Sequence, residues 1–245
     1  MIRIIICFLS ILALTPVFAA SEGALPLKAF KLDLNDKPSL QRGAKIYMNY
    51  CSGCHSLKYV RYTDMAQDLG IVDEDGKILE DVIEKNLMFF GEKISDTIGV
   101  SMPKDLSAHW FGVAPPDLSL VSRSRGLDWI YSYLLSFYKD PTRPWGVNNT
   151  VFPAASMPHV LERLQGLQTA LVENGRITGL RLERPGLQSV DEYEQTVRDV
   201  VNFLAYVGEP ALMHRKRTGV WVLLFLAVFI VFAVLLKKEY WKDIK

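Results

Sequence analysis

Cys51-Ser52-Gly53-Cys54-His55, "CSGCH", holds the only closely spaced cysteines in a chain of 245 residues, and its reading decides what kind of fold surrounds it. Three chemistries use two thiols at this spacing: a redox disulfide, a zinc site, or thioether attachment of a haem. Just upstream, "PSLQRGAKIYMNY" places Leu40, Ala44 and Tyr47 at helical spacing with Ser39 as the expected N-cap, so a helix runs into the motif. A thioredoxin-like dithiol requires the reverse, a strand before it and a helix starting at it. Zinc needs a fourth ligand. The remaining histidines are His109, His159 and His214, and the adjacent Cys54 and His55 fit one tetrahedral ion poorly. In Cys-x-x-Cys-His, two thiols bond the vinyl groups of a haem while the next imidazole ligates its iron from one face. The motif therefore points to one covalent haem c carried by Cys51, Cys54 and His55.

The ends of the chain agree with that chemistry. Residues 1–20, "MIRIIICFLSILALTPVFAA", join one arginine to an apolar run and finish in small residues, the pattern of a secretory signal peptide cut near Ala19 or Ala20. The third cysteine, Cys7, lies in this segment, so the exported chain keeps only the motif pair, and haem attachment consumes both thiols. Near the other end, Thr218 to Leu236 carry no charge and reach roughly 28 Å as a helix, enough to cross a bilayer core. Basic residues flank both sides of this span, so charge alone does not orient it; export of the body does. The expected organisation is a signal peptide at 1–20, an exported haem domain at 21–213, an anchor with its basic flank at 214–236 and a cytoplasmic tail at 237–245. That is a single-pass protein of a bacterial inner membrane with its haem domain in the periplasm. A net charge of +1 averages body and anchor and names no partner; no nucleic acid is expected.

A second iron ligand would favour electron transfer over small-molecule chemistry, and a thioether there stabilises the reduced iron relative to a second imidazole. Met48, Met65, Met88, Met102, Met157 and Met213 are the candidates in the exported chain. Met102 in "GVSMPKD" and Met157 in "FPAASMPHV" each precede a proline, which holds the residue extended and lets its side chain project into a pocket. Residue chemistry alone leaves the two unresolved.

"CSGCH", then "APPDLSLVSRSRG", "FPAASMPH" and "HRKRTG" opening the C-terminal span, together resemble the cytochrome c1 family, the haem-bearing subunits of quinol-oxidising cytochrome bc1 complexes. The resemblance covers nearly all of the exported chain. It implies a mainly α fold: a class I cytochrome c-like haem domain with loop and hairpin insertions, plus one C-terminal transmembrane helix. It also implies Met157 as the axial sulfur ligand, Pro115 and Pro116 as a fixed turn whose "DLS" continuation bonds its own backbone beside the haem, and Arg125 as the partner of a haem propionate. Trp129 stands where the family often has tyrosine; an indole still packs and donates one hydrogen bond, but a phenol-specific role is in doubt. The implied activity is electron transfer within a quinol:cytochrome c oxidoreductase. One electron arrives from a Rieske iron-sulfur protein and leaves to a cytochrome c, beside a cytochrome b subunit in a dimeric complex. The alternative is a free-standing anchored monohaem carrier serving another respiratory complex.

The rest of the body reads more generally. "LDWIYSYLLSFYK", Leu127–Lys139, is expected as one helix near the haem, and residues 168–186 as a hairpin turning at Asn174-Gly175. From Ser189, an N-cap followed by acids and by Tyr193, Val197, Val200, Val201 and Leu204 on one stripe predicts a closing helix, stopped by Gly208 and Pro210 and packed across the N-terminal helix. Eight acids against one lysine at residues 64–84 read as a solvated surface, or as a docking field for a basic cytochrome c.

Overall fold

The structure, a computed structural model, describes residues 25–243, so the expected signal peptide at 1–20 lies outside the described residues. Helix α1 (Lys37–Tyr50) starts at Asp36, whose carboxylate accepts from the Ser39 amide at 3.0 Å. The expected cap at Ser39 is thus displaced upstream by three residues. Pro38 is the reason: a proline fits only the first turn, so the helix has to begin before it. Ser39 is instead buried, and its hydroxyl donates to Asp199 at 2.7 Å.

After the cysteine motif come β1 (Leu57–Arg61), α2 (Tyr62–Leu69), α3 (Glu80–Asn86), β2 (Thr97–Ile98, antiparallel to β1), α4 (Lys104–Phe111) and α5 (Val121–Ser124). Next is α6 (Leu127–Leu135), shorter than the helix expected over Leu127–Lys139. Its last residues form β3 (Phe137–Lys139) against β4 (Val147–Asn149). Backbone carbonyls at the break are claimed from outside the helix: Gln165 Nε2 reaches Leu135 O at 3.1 Å, and Gln168 Nε2 reaches Leu135 O and Phe137 O, each at 2.9 Å. A short α7 (Glu162–Gln165) leads to the hairpin β5 (Gly166–Glu173) and β6 (Arg176–Pro185). Asn174 and Gly175 take φ of 51° and 75°, the left-handed pair that a two-residue turn needs.

Helix α8 (Val190–Gly208) opens with a complete capping box between Ser189 and Glu192, and it crosses α1. All five residues of the predicted stripe are buried in it. Leu40, Ala44 and Tyr47 from α1 meet Val197, Val200 and Phe203 from α8 in the core, with the Tyr47 and Phe203 rings 5.7 Å apart. Burying each such side chain contributes about 1.5–3 kcal/mol, and the pair of crossed helices is the frame on which the motif sits. The two helices touch backbone to backbone at Gly43, where a Cβ would lie 2.1 Å from the Asp199 carbonyl oxygen. Arg42 beside it clamps the buried Asp199 carboxylate through Nε at 2.6 Å and Nη2 at 3.0 Å.

The final helix, α9 (Leu212–Tyr240), is continuous, and its segment Thr218–Tyr240 is long and apolar enough to cross a membrane, with its side chains exposed along its length. The acidic run is partly structural. Asp73 accepts from the amides of Asp75 and Lys77 to make a tight turn, while Glu80 and Asp81 occupy the first turn of α3, where the helix dipole favours negative charge.

Candidate functional site

Cys51 caps the C-terminus of α1, and the motif wraps into a turn in which the Cys54 and His55 amides both donate to the Cys51 carbonyl, at 3.0 and 2.9 Å. Both thiols are free. Burial pushes the Cys51 thiol up to about 12, with Cys54 adding to the shift. That is the reverse of the lowered thiol pKa that a redox dithiol draws from a helix N-terminus. Among the described residues, no group of three or more His, Cys, Asp or Glu side chains converges as a metal-ion site.

His55 is held at both its backbone and its ring. The buried Tyr47 hydroxyl, projecting from α1, donates to the His55 carbonyl at 2.6 Å. The ring Nδ1 lies 2.7 Å from the Pro116 carbonyl oxygen. A carbonyl only accepts, so Nδ1 carries the proton and Nε2 is left with its lone pair. Burial lowers the imidazole pKa, against the raising influence of Pro116 and Asp117, which keeps the ring neutral.

Pro116 belongs to a segment laced onto the motif. Leu118 N donates to Ser56 O at 2.9 Å, Ser56 Oγ to Asp117 Oδ2 at 2.7 Å, Lys58 N to the same oxygen at 3.0 Å, and Ser119 N back to Asp117 Oδ1 at 2.9 Å. The expected turn at "PPDLS" therefore bonds its own backbone, and it also organises the strand that follows the motif. Burial opposes the charge on Asp117, but hydrogen bonds from Ser119, Ser56 and the Lys58 amide outweigh it and hold the carboxyl below its ordinary range.

Met157 sits half-buried against the core, and its sulfur takes a hydrogen bond from the Tyr133 hydroxyl at 3.5 Å. Tyr133 stacks on Trp129, with ring centroids 5.0 Å apart and planes 7° from parallel, and Trp129 meets Phe152 edge-on at 6.2 Å. The Arg125 guanidinium lies over Trp129 at 5.0 Å and over Phe152 at 5.6 Å, exposed and with no carboxylate partner among the described residues. Arg123 is committed elsewhere, in an ion pair with Glu209 at 2.8 Å. Met102 lies in the loop between β2 and α4, outside this group.

Two clusters result: Cys51, Cys54, His55 and Pro116 form one, and Arg125, Trp129, Tyr133 and Met157 form the other. Both border the core that α8 closes: Cys51 packs against that core, and buried Tyr193 of α8 donates its hydroxyl proton to the Leu134 carbonyl, beside Tyr133, at 2.8 Å. The chemistry of the donor set fits a covalently attached haem: two free thiols on one turn, an imidazole nitrogen freed by its partner's hydrogen bond, a thioether on the loop after β4, and a cation over aromatic faces with no carboxylate partner among the described residues.

Sequence reasoning passed over Tyr133 and Asn149. Buried Asn149 donates to the Tyr133 carbonyl at 2.8 Å and accepts from the amides of Val151 and Phe152 at 2.9 and 3.1 Å, so it ties the end of α6 to the loop bearing Met157. The only signal was a pair of asparagines between two apolar stretches, which reads as a turn.

A family model described as the Cytochrome C1 family matches residues 29–169 and 186–244, leaving most of the β5–β6 hairpin outside it. The chain is 48% identical over 249 residues to "Cytochrome c1" of Allochromatium vinosum, covering 99% of both chains. It is 40% identical to "Ammonia monooxygenase gamma subunit" of Nitrosomonas europaea, again over 99% of both. With "Cytochrome c1, heme protein, mitochondrial" of Schizosaccharomyces pombe it shares 30% identity over 86% of this chain and 68% of the other.

Proposed function

Because the chain belongs to the cytochrome c1 family of electron-carrying haem proteins, we propose that it is the c-type haem subunit of a quinol:cytochrome c oxidoreductase. In this reading it takes one electron at a time from a Rieske iron-sulfur protein and passes it to a cytochrome c. Residues 1–20 direct export, 21–213 form the periplasmic haem domain, 214–236 anchor it beside a cytochrome b subunit in the bacterial inner membrane, and 237–245 form the cytoplasmic tail of one chain in a dimeric complex.

When bound, haem c supplies one-electron exchange at iron, and the chain supplies everything that fixes it in place. Cys51 and Cys54 give the two thioether links. His55 gives its Nε2 lone pair and Met157 its sulfur. Pro116 sets the imidazole's tautomer and orientation, as an outer partner of a metal-ligating histidine does. Arg125, over the faces of Trp129 and Phe152, would hold a propionate, since a planar guanidinium is well matched to a carboxylate. Trp129 packs the same edge. No bond of a substrate is made or broken by this chain.

The observation that carries the reading is the hydrogen bond from His55 Nδ1 to Pro116 O, which joins "CSGCH" to "PPDLS" and leaves the opposite ring nitrogen free for iron. The test is purification of the tagged chain from native membranes in mild detergent. The proposal expects a b-type cytochrome and an iron-sulfur protein to come with it, and added quinol to reduce its c-type haem. A chain that emerges alone and is not reduced by quinol overturns it. The second reading, a haem subunit serving a different complex, draws on the likeness to the chain named for ammonia monooxygenase. The same purification identifies it by companions that lack cytochrome b.

A further inference from the structure

Tyr133 ends the aromatic run of α6 with its ring buried, and its hydroxyl has one hydrogen-bond partner among the described residues, the sulfur of Met157 at 3.5 Å. The ring cannot swing away: Trp129 stacks on one face, and Phe137 meets it edge-on with centroids 5.1 Å apart. The backbone is held too, because its carbonyl accepts from Asn149 Nδ2, and the same asparagine side chain grips the amides of Val151 and Phe152 in the loop that leads to Met157. The donor's backbone and the start of the acceptor's loop are thus tied to one buried amide. A phenol placed this way does more than fill space.

We propose that Tyr133 is a positioning residue for the iron ligand, its hydroxyl donating to the thioether of Met157 and so setting how strongly that sulfur binds ferric iron. The proposal rests on the reading of Met157 as the axial ligand. A thioether sulfur has two lone pairs: one faces the metal, and the other accepts from Tyr133. Donation to the second withdraws electron density from the first, which weakens the bond to electron-poor ferric iron more than the bond to ferrous iron. The hydroxyl therefore favours the reduced state. It also fixes the rotamer of a flexible side chain, so that little rearrangement accompanies the gain or loss of one electron.

The experiment compares the haem-loaded full-length chain with Tyr133→Phe and Met157→Ala, using redox titration against a fixed reference couple and the thioether-to-ferric-iron charge-transfer absorption followed with pH. Tyr133→Phe is expected to keep the haem and the absorption band. Its equilibrium constant for reduction should fall about fivefold, the value of one ordinary neutral hydrogen bond, and its band should persist to higher pH because the ferric iron-sulfur bond is stronger. A Tyr133→Phe protein with unchanged reduction equilibrium and unchanged band overturns the proposal, even while loss of the band in Met157→Ala upholds the ligand. A band that survives Met157→Ala removes the ligand assignment itself, and the proposal with it. If the phenylalanine variant does not fold, proton magnetic resonance of the ferrous wild-type protein decides. A slowly exchanging Tyr133 hydroxyl proton close to the Met157 methyl group supports the hydrogen bond; a freely exchanging one refutes it.

Discussion

Replacing Gly43 with alanine tests the frame on which the site is built. In a solvated helix this change would stabilise by up to about 1 kcal/mol, since alanine is the better helix former. Here the added Cβ would lie 2.1 Å from the Asp199 carbonyl oxygen and 2.7 Å from both the Asp199 carbonyl carbon and the Phe203 Cβ. Two of these are backbone atoms of α8, so no side-chain rotation relieves them, and the helices must separate by on the order of 1 Å to restore normal contact. Overpacking of this kind costs about 1–3 kcal/mol, to which the strained Arg42–Asp199 clamp next door adds, giving a net loss of about 2 kcal/mol after the helix gain. For a chain of this size that is a fall of about 4–8 °C in Tm. Because α1 delivers Cys51 at its C-cap, the same separation should lower the fraction of chains that acquire haem. Far-UV circular dichroism of the full-length protein in detergent measures the Tm, with Gly53→Ala, whose Cβ meets nothing within 4 Å, as the control. A Gly43→Ala protein as stable as wild type, or more so, would refute the close crossing.

Asp117→Asn removes an acceptor that serves Ser56, Lys58 and Ser119, and should cost about 1–3 kcal/mol and reduce haem incorporation. The folded carboxyl lies below its ordinary value, so its stabilisation is complete above about pH 4 and disappears as pH falls through the folded value. Wild type and variant should accordingly converge in stability in acid; a gap that stays constant to pH 2 would contradict this. Met157→Ala should leave haem attached but turn the ferric iron high-spin and lower its potential. An unchanged absorption spectrum would shift the ligand to Met102.

Much of the frame could be read in the chain because local chemistry and packing agree there. The helix entering the motif, the stripe and N-cap of α8, and the Asn174-Gly175 turn each follow from signals within a few residues. The misreadings arose where tertiary contacts decide. Ser39 looks like a cap, but Pro38 forces the helix to begin upstream, and the serine serves Asp199, 160 residues away. Leu127–Lys139 looks like one aromatic helix, yet Gln165 and Gln168 take its terminal carbonyls and turn Phe137–Lys139 into a strand. At the site, cysteine spacing carries its own chemistry. The choice between Met102 and Met157 carries no such local signal, because both are pre-proline methionines in loops; the structure adds that Met157 meets Tyr133 of α6 while Met102 lies in the loop before α4. Tyr133 was hidden for the same reason: among five aromatics in thirteen residues, nothing local marks the one that reaches a sulfur.

The most direct measurement is the colour of the matured polypeptide on a denaturing gel. Expressed in cells that assemble c-type cytochromes, the wild-type chain should retain a haem stain after denaturation and yield one haem per chain. Cys51→Ala and Cys54→Ala should each lose most of it. A wild-type chain that leaves those cells colourless, or gives up its haem on denaturation with both thiols unmodified, would contradict the account at its root.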